Sequence, residues 1–109
     1  MSTLDPKVVY WHRELPPLEA EVLGEHTVEA TSDRVSGSFA HGDDLWMRCY
    51  ESLMAQTRIR LEQEVARLGG HYAHVLDESI ESGHNAATGE AWLHGRFTYV
   101  LSRSPALRA

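Results

Sequence analysis

Histidines are the residues of this chain whose type and spacing come nearest to a chemical site. An imidazole can bind a divalent metal or move a proton near neutral pH. A structural zinc site needs four nitrogen or sulfur ligands at close spacing, such as paired cysteines or a helical His-x-x-x-His. The sequence contains neither pattern. Its seven histidines are His12, His26, His41, His71, His74, His84 and His94.

The nearest approach to a metal site is His71-x-x-His74, with His94 supplied by the following strand. Residues three apart on a strand point to opposite faces, so His71 can join His74 only from a turn. His74 and His94 meet if the hairpin register places them on one face. We therefore hypothesise His71, His74 and His94 as ligands of a divalent metal. The competing interpretation is that these histidines are exposed or satisfied within the fold.

Carboxylates form the second group that could carry chemistry. His41, Asp43 and Asp44 are close in sequence, but two acids at a helix start are already explained by capping and by the helix dipole. Other acids could supply an acid/base pair at a rim of the sheet, against the alternative of a solvated face. They are Glu14, Glu19, Glu21, Glu25, Glu29, Asp77, Glu78 and Glu81. We identify no catalytic or cofactor-binding residue, since no nucleophile elbow or phosphate-binding loop is present.

Composition limits the classes of partner. The 109 residues suit one domain, with an ordered core over about residues 8–102 and flexible termini. The net charge is −6, and Lys7 is the only lysine, which argues against nucleic-acid binding and against binding to an anionic membrane. Cys49 is the only cysteine, so it is expected to be a small buried hydrophobe. With no apolar run at the N-terminus, a cytoplasmic location is expected.

The spacing of apolar residues predicts the elements. A short strand or arm over residues 8–11 is followed by Pro16-Pro17, which breaks regular structure. Residues 18–24 and 26–36 read as paired strands or, alternatively, as one bent strand kinked at Gly24. A helical stripe then begins near Asp43 and ends at Gly69-Gly70. Its apolar face comprises Trp46, Cys49, Tyr50, Leu53, Thr57, Leu61, Val65 and Leu68.

The last third of the chain reads as a long β-hairpin around the turn-forming run of residues 83–89. Alternation predicts that Tyr72, Leu76 and Ile80 cover the helix together with Leu93, Phe97, Tyr99 and Leu101. Trp46 is expected in the core, whereas Trp92 should face away from the helix and be buried against another subunit. The predicted fold is α+β, strand(s)-helix-strand-strand, with one long helix packed on a small antiparallel sheet.

The helix contains Tyr50-Glu51-x-Leu53 and continues into the run EVARLGGHYA of residues 64–73. This order of elements, over residues 19–101, resembles the YbjQ-like family of proposed heavy-metal-binding domains. In that family a long helix runs into Ala-x-x-Leu-Gly-Ala-Asn-Ala-Val and then a hairpin. Here Gly70-His71-Tyr72-Ala73 replaces the final Ala-Asn-Ala-Val. The resemblance implies a ring-like homo-oligomer, a pentamer, and supplies no ligand motif.

These patterns favour a small cytoplasmic protein that self-associates through strand edges or its second sheet face and acts as a binding or scaffold domain rather than as an enzyme. A small ligand is compatible with this interpretation. Two alternatives stay open. One is a metal-ion-binding protein that uses His, Asp and Glu ligands. The other is a small enzyme with a carboxylate/His site between subunits.

Overall fold

The computed structural model describes residues 7–37, 39 and 43–105. One helix packs on a five-stranded sheet, which confirms the predicted α+β class. Within the described residues, no helix is long and apolar enough to cross a membrane. Residues 1–6 and 106–109, which form most of the predicted flexible ends, and the candidate ligand His41 lie outside these residues. The elements are β1 (Val9–Trp11), β2 (Glu21–Thr31), β3 (Val35–Ser36), α1 (Asp43–Arg67), β4 (Tyr72–Asn85) and β5 (Glu90–Arg103).

The strand order in the sheet is β1-β4-β5-β2, and β3 pairs with the start of β5. The expected antiparallel sheet is in fact mixed, because β1 runs parallel to β4 with Val9 beside Ala73. A three-residue strand reaching the sheet edge has no hairpin turn to force it antiparallel. β2 is one strand with an irregularity between Val22 and Gly24, which agrees with the alternative of one bent strand rather than with two paired segments.

Helix α1 covers one face of the sheet, and its predicted apolar stripe is largely confirmed. Cys49, Leu53, Thr57, Leu61 and Val65 are all buried. The buried Thr57 hydroxyl has no access to water, and it donates to the carbonyl of Leu53 at 2.7 Å instead.

Trp46 was predicted to lie in the core, and this is wrong. Its side chain is 36% exposed and stacks on Tyr50, with ring centroids 5.1 Å apart. Trp46 lies about one turn before Cys49, the first residue of α1 that the structure shows as buried, so its ring packs on Tyr50 of the same helix. Trp92 faces away from the helix, and its ring lies 4.2 Å from the guanidinium carbon of Arg34. Its burial against another subunit stays a prediction.

The helix ends at the two glycines that the sequence indicates. Gly69 has φ 76°, a left-handed conformation that an L side chain rarely adopts. Its N–H donates to the carbonyl of Ala66 at 3.3 Å, and the N–H of Gly70 donates to that of Val65 at 2.9 Å. This pair of bonds is the Schellman arrangement, which satisfies the last carbonyls of a helix.

A β-bulge at Leu76 decides which residues of β4 face the helix. The pairing with β5 shifts between Val75 and Asp77, so Leu76 is an extra residue in the ladder. Before the bulge, Val75 is buried under α1. After it, the alternation is reversed, and Glu78 and Ile80 face the helix instead. Ile80 therefore packs on the core as predicted, but Tyr72 does not, and Leu76 is 41% exposed.

Candidate functional site

The structure separates the three histidines proposed as metal ligands. His74 faces Val100 of β5, whereas His94 faces Glu81 of β4. These positions are six residues apart along β5, which corresponds to about 20 Å in a strand. His71 precedes β4 at its far end from His94. Among the residues that the structure describes, no group of three or more His, Cys, Asp or Glu side chains is arranged to hold a metal ion.

Each of these histidines has other polar partners. The Nδ1 atom of His71 accepts a hydrogen bond from the N–H of Ser104 at 2.9 Å. The Nε2 atom of His74 lies 2.7 Å from the carbonyl oxygen of His12, to which it donates. His94 lies with Nε2 at 2.7 Å from Glu29 and Nδ1 at 2.8 Å from the hydroxyl of Thr31. The structure therefore does not bring His71, His74 and His94 together.

A different set of side chains converges in an open groove between α1 and the end of β1, hereafter the α1–β1 groove. Its volume is about 430 Å³. Aromatic, thioether, imidazole, guanidinium and carboxylate groups line it together, which is the mixture expected of a small-molecule site. The lining residues are Trp11, His12, Tyr50, Met54, Ala55, Arg58 and Glu78.

Glu78 is directed into this groove by the bulge at Leu76. One of its oxygens, Oε1, lies 2.7 Å from Nε2 of His12. The Glu78 side chain is 24% exposed and that of His12 is 44% exposed, so the carboxylate is the more buried member of the pair. β-bulges commonly re-aim a side chain beside a functional site. Without the extra residue in β4, Glu78 would lie on the opposite face of the sheet.

His12 reaches Glu78 because of a tight turn that follows β1. Its φ of 51° is the only positive value among the described non-glycine residues. The N–H of Glu14 donates to the carbonyl of Trp11 at 3.0 Å, and the Glu14 carboxylate accepts from the N–H of Trp11 at 2.8 Å. Lys7 pairs with the same carboxylate and lowers the pKa of Glu14. Such strained backbone persists where its surroundings determine it, and it clusters at functional sites.

Aromatic side chains make up the walls of the groove. Trp11 packs edge-on against the buried Phe97, with centroids 6.1 Å apart, so its indole is held against the core. Tyr50 comes from α1, and its pKa is raised by burial and, secondarily, by the negative charge of Glu78. The Tyr50 phenol, like any tyrosine at neutral pH, is a hydrogen-bond donor, and it is available to a ligand in the groove. The groove combines the Glu78 carboxylate, the His12 imidazole, the Arg58 guanidinium and two aromatic side chains.

A second groove, of about 480 Å³, lies at the opposite edge of the sheet between β2 and α1. Three of its polar groups are already engaged with one another, since His94 hydrogen-bonds both Glu29 and Thr31 and lowers the pKa of the Glu29 carboxyl. The exposed apolar residue here is Ile59, at 54%. This groove has no half-buried charge directed into it, so it is the weaker candidate for a ligand site.

Comparison with known proteins adds no relative. No family model, curated protein or solved structure matches this chain. The resemblance to the YbjQ-like family therefore stays a prediction, as does the ring-like assembly that it implies. The support for the candidate site is therefore the geometry of the α1–β1 groove alone.

Sequence reasoning missed His12 and Tyr50 as site residues and placed Glu78 in a general acidic rim. His12 and Glu78 are 66 residues apart, and nothing in either local pattern indicates their contact. The one available signal was the density of polar and aromatic groups in Trp11-His12-Arg13-Glu14, directly before Pro16. That density indicates a constrained turn, but it does not indicate that Glu78 is the residue that His12 contacts.

Proposed function

We propose that the protein is a binding domain, and that the α1–β1 groove takes a small organic cation with an apolar body. The observation that supports this most directly is the half-buried carboxylate of Glu78, turned by the bulge into a groove with aromatic walls. The buried lone Cys49, which can form no intrachain disulfide, suits a reducing compartment, and we propose the cytoplasm.

The chemistry of the groove matches an amine. His12 contacts Oε1 of Glu78, which leaves Oε2 to accept a hydrogen bond from an ammonium group of the ligand. The rings of Trp11 and Tyr50 line the same space, and an aromatic ring attracts a cation by its quadrupole. Met54 contributes an adaptable apolar surface to the body of the ligand. The net charge of −6 favours the approach of cations over anions.

Acid/base catalysis is a second candidate, and the His12–Glu78 pair is the observation that favours it. A carboxylate at 2.7 Å fixes the tautomer and orientation of an imidazole, as in many general bases. The left-handed backbone of His12 agrees with such a role. This site lies within one chain, whereas the sequence alternative was a carboxylate/His site between subunits.

The test is a titration with three probes of nearly equal shape and different charge: 2-phenylethylamine, 2-phenylethanol and 3-phenylpropionate. Binding is followed by the NMR shifts of the Trp11 indole N–H and the Met54 methyl group. We expect the amine to shift both signals at lower concentration than the alcohol, and the carboxylate to shift neither. Equal responses to all three probes, or none to the amine, would overturn the proposal.

Two variants locate the effect within the groove. Glu78→Gln keeps the side-chain shape and removes the charge, so the preference for the amine over the alcohol should disappear. Glu81→Gln makes the same change on the same strand at an exposed position on the other face, and it should leave the preference intact. If both variants behave alike, the preference comes from overall charge and not from the groove.

A further inference from the structure

Three hydrogen-bonded side chains lie in a row in the groove of about 480 Å³ between β2 and α1, hereafter the β2–α1 groove. The Nε2 atom of His94 lies 2.7 Å from Oε1 of Glu29, and its Nδ1 atom lies 2.8 Å from Oγ1 of Thr31. All three side chains line the groove. A carboxylate, an imidazole and a hydroxyl in this order are the groups of a nucleophile triad, which is recognised by geometry and not by sequence order.

The strand register brings these groups together. Thr31 of β2 lies directly opposite His94 of β5, and Glu29 lies opposite Arg96, two residues further along β5. Residues two apart on a strand share a face, so the side chains of Glu29 and Thr31 flank that of His94. Thr31 is β-branched, which restricts its hydroxyl to few rotamers. The row is therefore held by paired strands of the sheet and not by a loop.

The hydrogen bonds determine the role of each ring nitrogen. An ionised carboxylate only accepts hydrogen bonds, so Nε2 of His94 carries the proton that is donated to Glu29. The same contact lowers the pKa of Glu29, which favours the ionised carboxylate. In the neutral imidazole, Nδ1 then has no proton and accepts from the hydroxyl of Thr31. In this state His94 can remove the hydroxyl proton of Thr31.

Donors for a developing negative charge lie at the same edge of the sheet. The N–H of Ser32 donates to the carbonyl of Leu93 on β5 at 2.8 Å. Because N–H groups alternate in direction along a strand, the N–H of Thr31 points away from β5, beyond the last strand of the described sheet. This N–H and the guanidinium of Arg60, which lines the groove, are donors of the kind that stabilise an oxyanion. The exposed side chain of Ile59 adds an apolar wall for an acyl group.

We propose that Thr31, His94 and Glu29 form a triad that hydrolyses small esters with an apolar acyl group. His94 removes the hydroxyl proton of Thr31 while Oγ1 bonds to the carbonyl carbon, whose π electrons move to the carbonyl oxygen. The bond to the leaving alcohol then breaks, and the alcohol takes the proton from His94. A water molecule, deprotonated by His94, attacks the acyl group; the carboxylic acid leaves, and the oxygen of Thr31 recovers the proton. Thr31 and His94 are the catalytic residues, and Glu29 is a positioning residue.

Hydrolysis of p-nitrophenyl acetate, followed by the release of p-nitrophenolate, tests the triad. Thr31→Val keeps the side-chain shape and removes the hydroxyl, so it should lower kcat/KM by about 100-fold, as should His94→Gln. Thr31→Ser keeps the hydroxyl and should retain activity. Thr27→Val is the matched control, because it makes the same change on the same strand and face, opposite Thr98, and should leave kcat/KM unchanged. Circular dichroism verifies that each variant is folded.

Two further measurements separate the roles of the three residues. Glu29→Gln should lower kcat and leave KM unchanged, because Glu29 contacts His94 and not the ester. Diisopropyl fluorophosphate should phosphorylate Oγ1 of Thr31 with loss of fluoride and the hydroxyl proton. Peptide mass spectrometry should find this adduct in the wild type and not in His94→Gln.

The proposal is overturned by hydrolysis no faster than in buffer, by hydrolysis that Thr31→Val leaves undiminished, or by a phosphoryl adduct that is absent from Thr31. Hydrolysis that is lost in Glu78→Gln but kept in Thr31→Val would also overturn it and would assign the activity to the His12–Glu78 pair. The β2–α1 groove shares no residue with the α1–β1 groove, so none of these results changes the expected binding of the amine.

Discussion

Tyr99→Phe should stabilise this protein, although it removes a polar atom from the centre of the fold. Tyr99 projects from β5 and is fully buried. Its hydroxyl has no hydrogen-bond partner among the described residues. A buried hydroxyl without a partner costs about 1–3 kcal/mol relative to its hydration in the unfolded chain. Phenylalanine keeps the ring and its packing while removing that cost.

We therefore expect the free energy of unfolding to rise by about 1–2 kcal/mol in Tyr99→Phe. For a domain of this size, each 1 kcal/mol corresponds to roughly 4–8 °C in Tm. Urea unfolding followed by circular dichroism measures the free energy, and a thermal scan measures Tm. Tyr72→Phe is the control, because it makes the same change at a half-buried position on the opposite face of the sheet.

The pH dependence of the free energy of unfolding is a second, independent test of the burial of the Tyr99 hydroxyl. Burial, and then the negative charge of Glu64, raises the pKa of Tyr99. A raised pKa in the folded state means that the unfolded chain releases this proton first as the pH increases. The free energy of unfolding therefore keeps its full value below the unfolded pKa of about 10, and it falls as the pH rises through the folded pKa of Tyr99. Tyr99→Phe should therefore lose less stability than wild type above pH 10.

Loss of 1 kcal/mol or more of stability in Tyr99→Phe would refute the reasoning, because it would mean that the hydroxyl makes a favourable interaction. An unchanged alkaline profile would refute the part that concerns the pKa. The two results are separate, since the first is measured at neutral pH.

Three further substitutions test the packing. Leu61→Asp places an unpaired charge at a fully buried position and should unfold the domain; a native melting curve would contradict the helix–sheet contact. Gly69→Val forces a β-branched residue to φ 76° and should destabilise by more than 1 kcal/mol, whereas Gly69→Asn should cost less; equal effects would place the helix end elsewhere. Gly95→Ala would set a Cβ 2.6 Å from the buried ring of Phe97 and should cost about 1–3 kcal/mol in urea unfolding; a silent change would mean that the ring can move.

The parts of the fold that follow from local physics could be predicted. The helix ends where Gly69 permits a left-handed cap, and its buried stripe follows the helical period through Leu53 and Leu61. The parallel position of β1 could not be predicted, because a three-residue strand has no local signal of its partner. The bulge at Leu76 could not be predicted either, since alternating apolar residues look the same whether or not one residue is extra.

The candidate site depends on those two unpredictable features. His12 and Glu78 meet only because β1 lies beside β4 and because the bulge reverses the face of Glu78. The sequence instead emphasised His71, His74 and His94, which are close along the chain or across the hairpin. Their separation in space is set by the register of a hairpin of two fourteen-residue strands, and sequence composition does not determine that register.

The bulge at Leu76 turns Glu78 into the α1–β1 groove beside His12, and the proposed ligand site depends on this orientation. Nuclear Overhauser contacts of the Glu78 side chain test it in solution. We predict contacts from the Glu78 side chain to the imidazole of His12 and to the ring of Tyr50. Contacts from Glu78 to the side chain of Thr98, which lies on the opposite face of the sheet, would contradict the claim and remove the proposed ligand site with it.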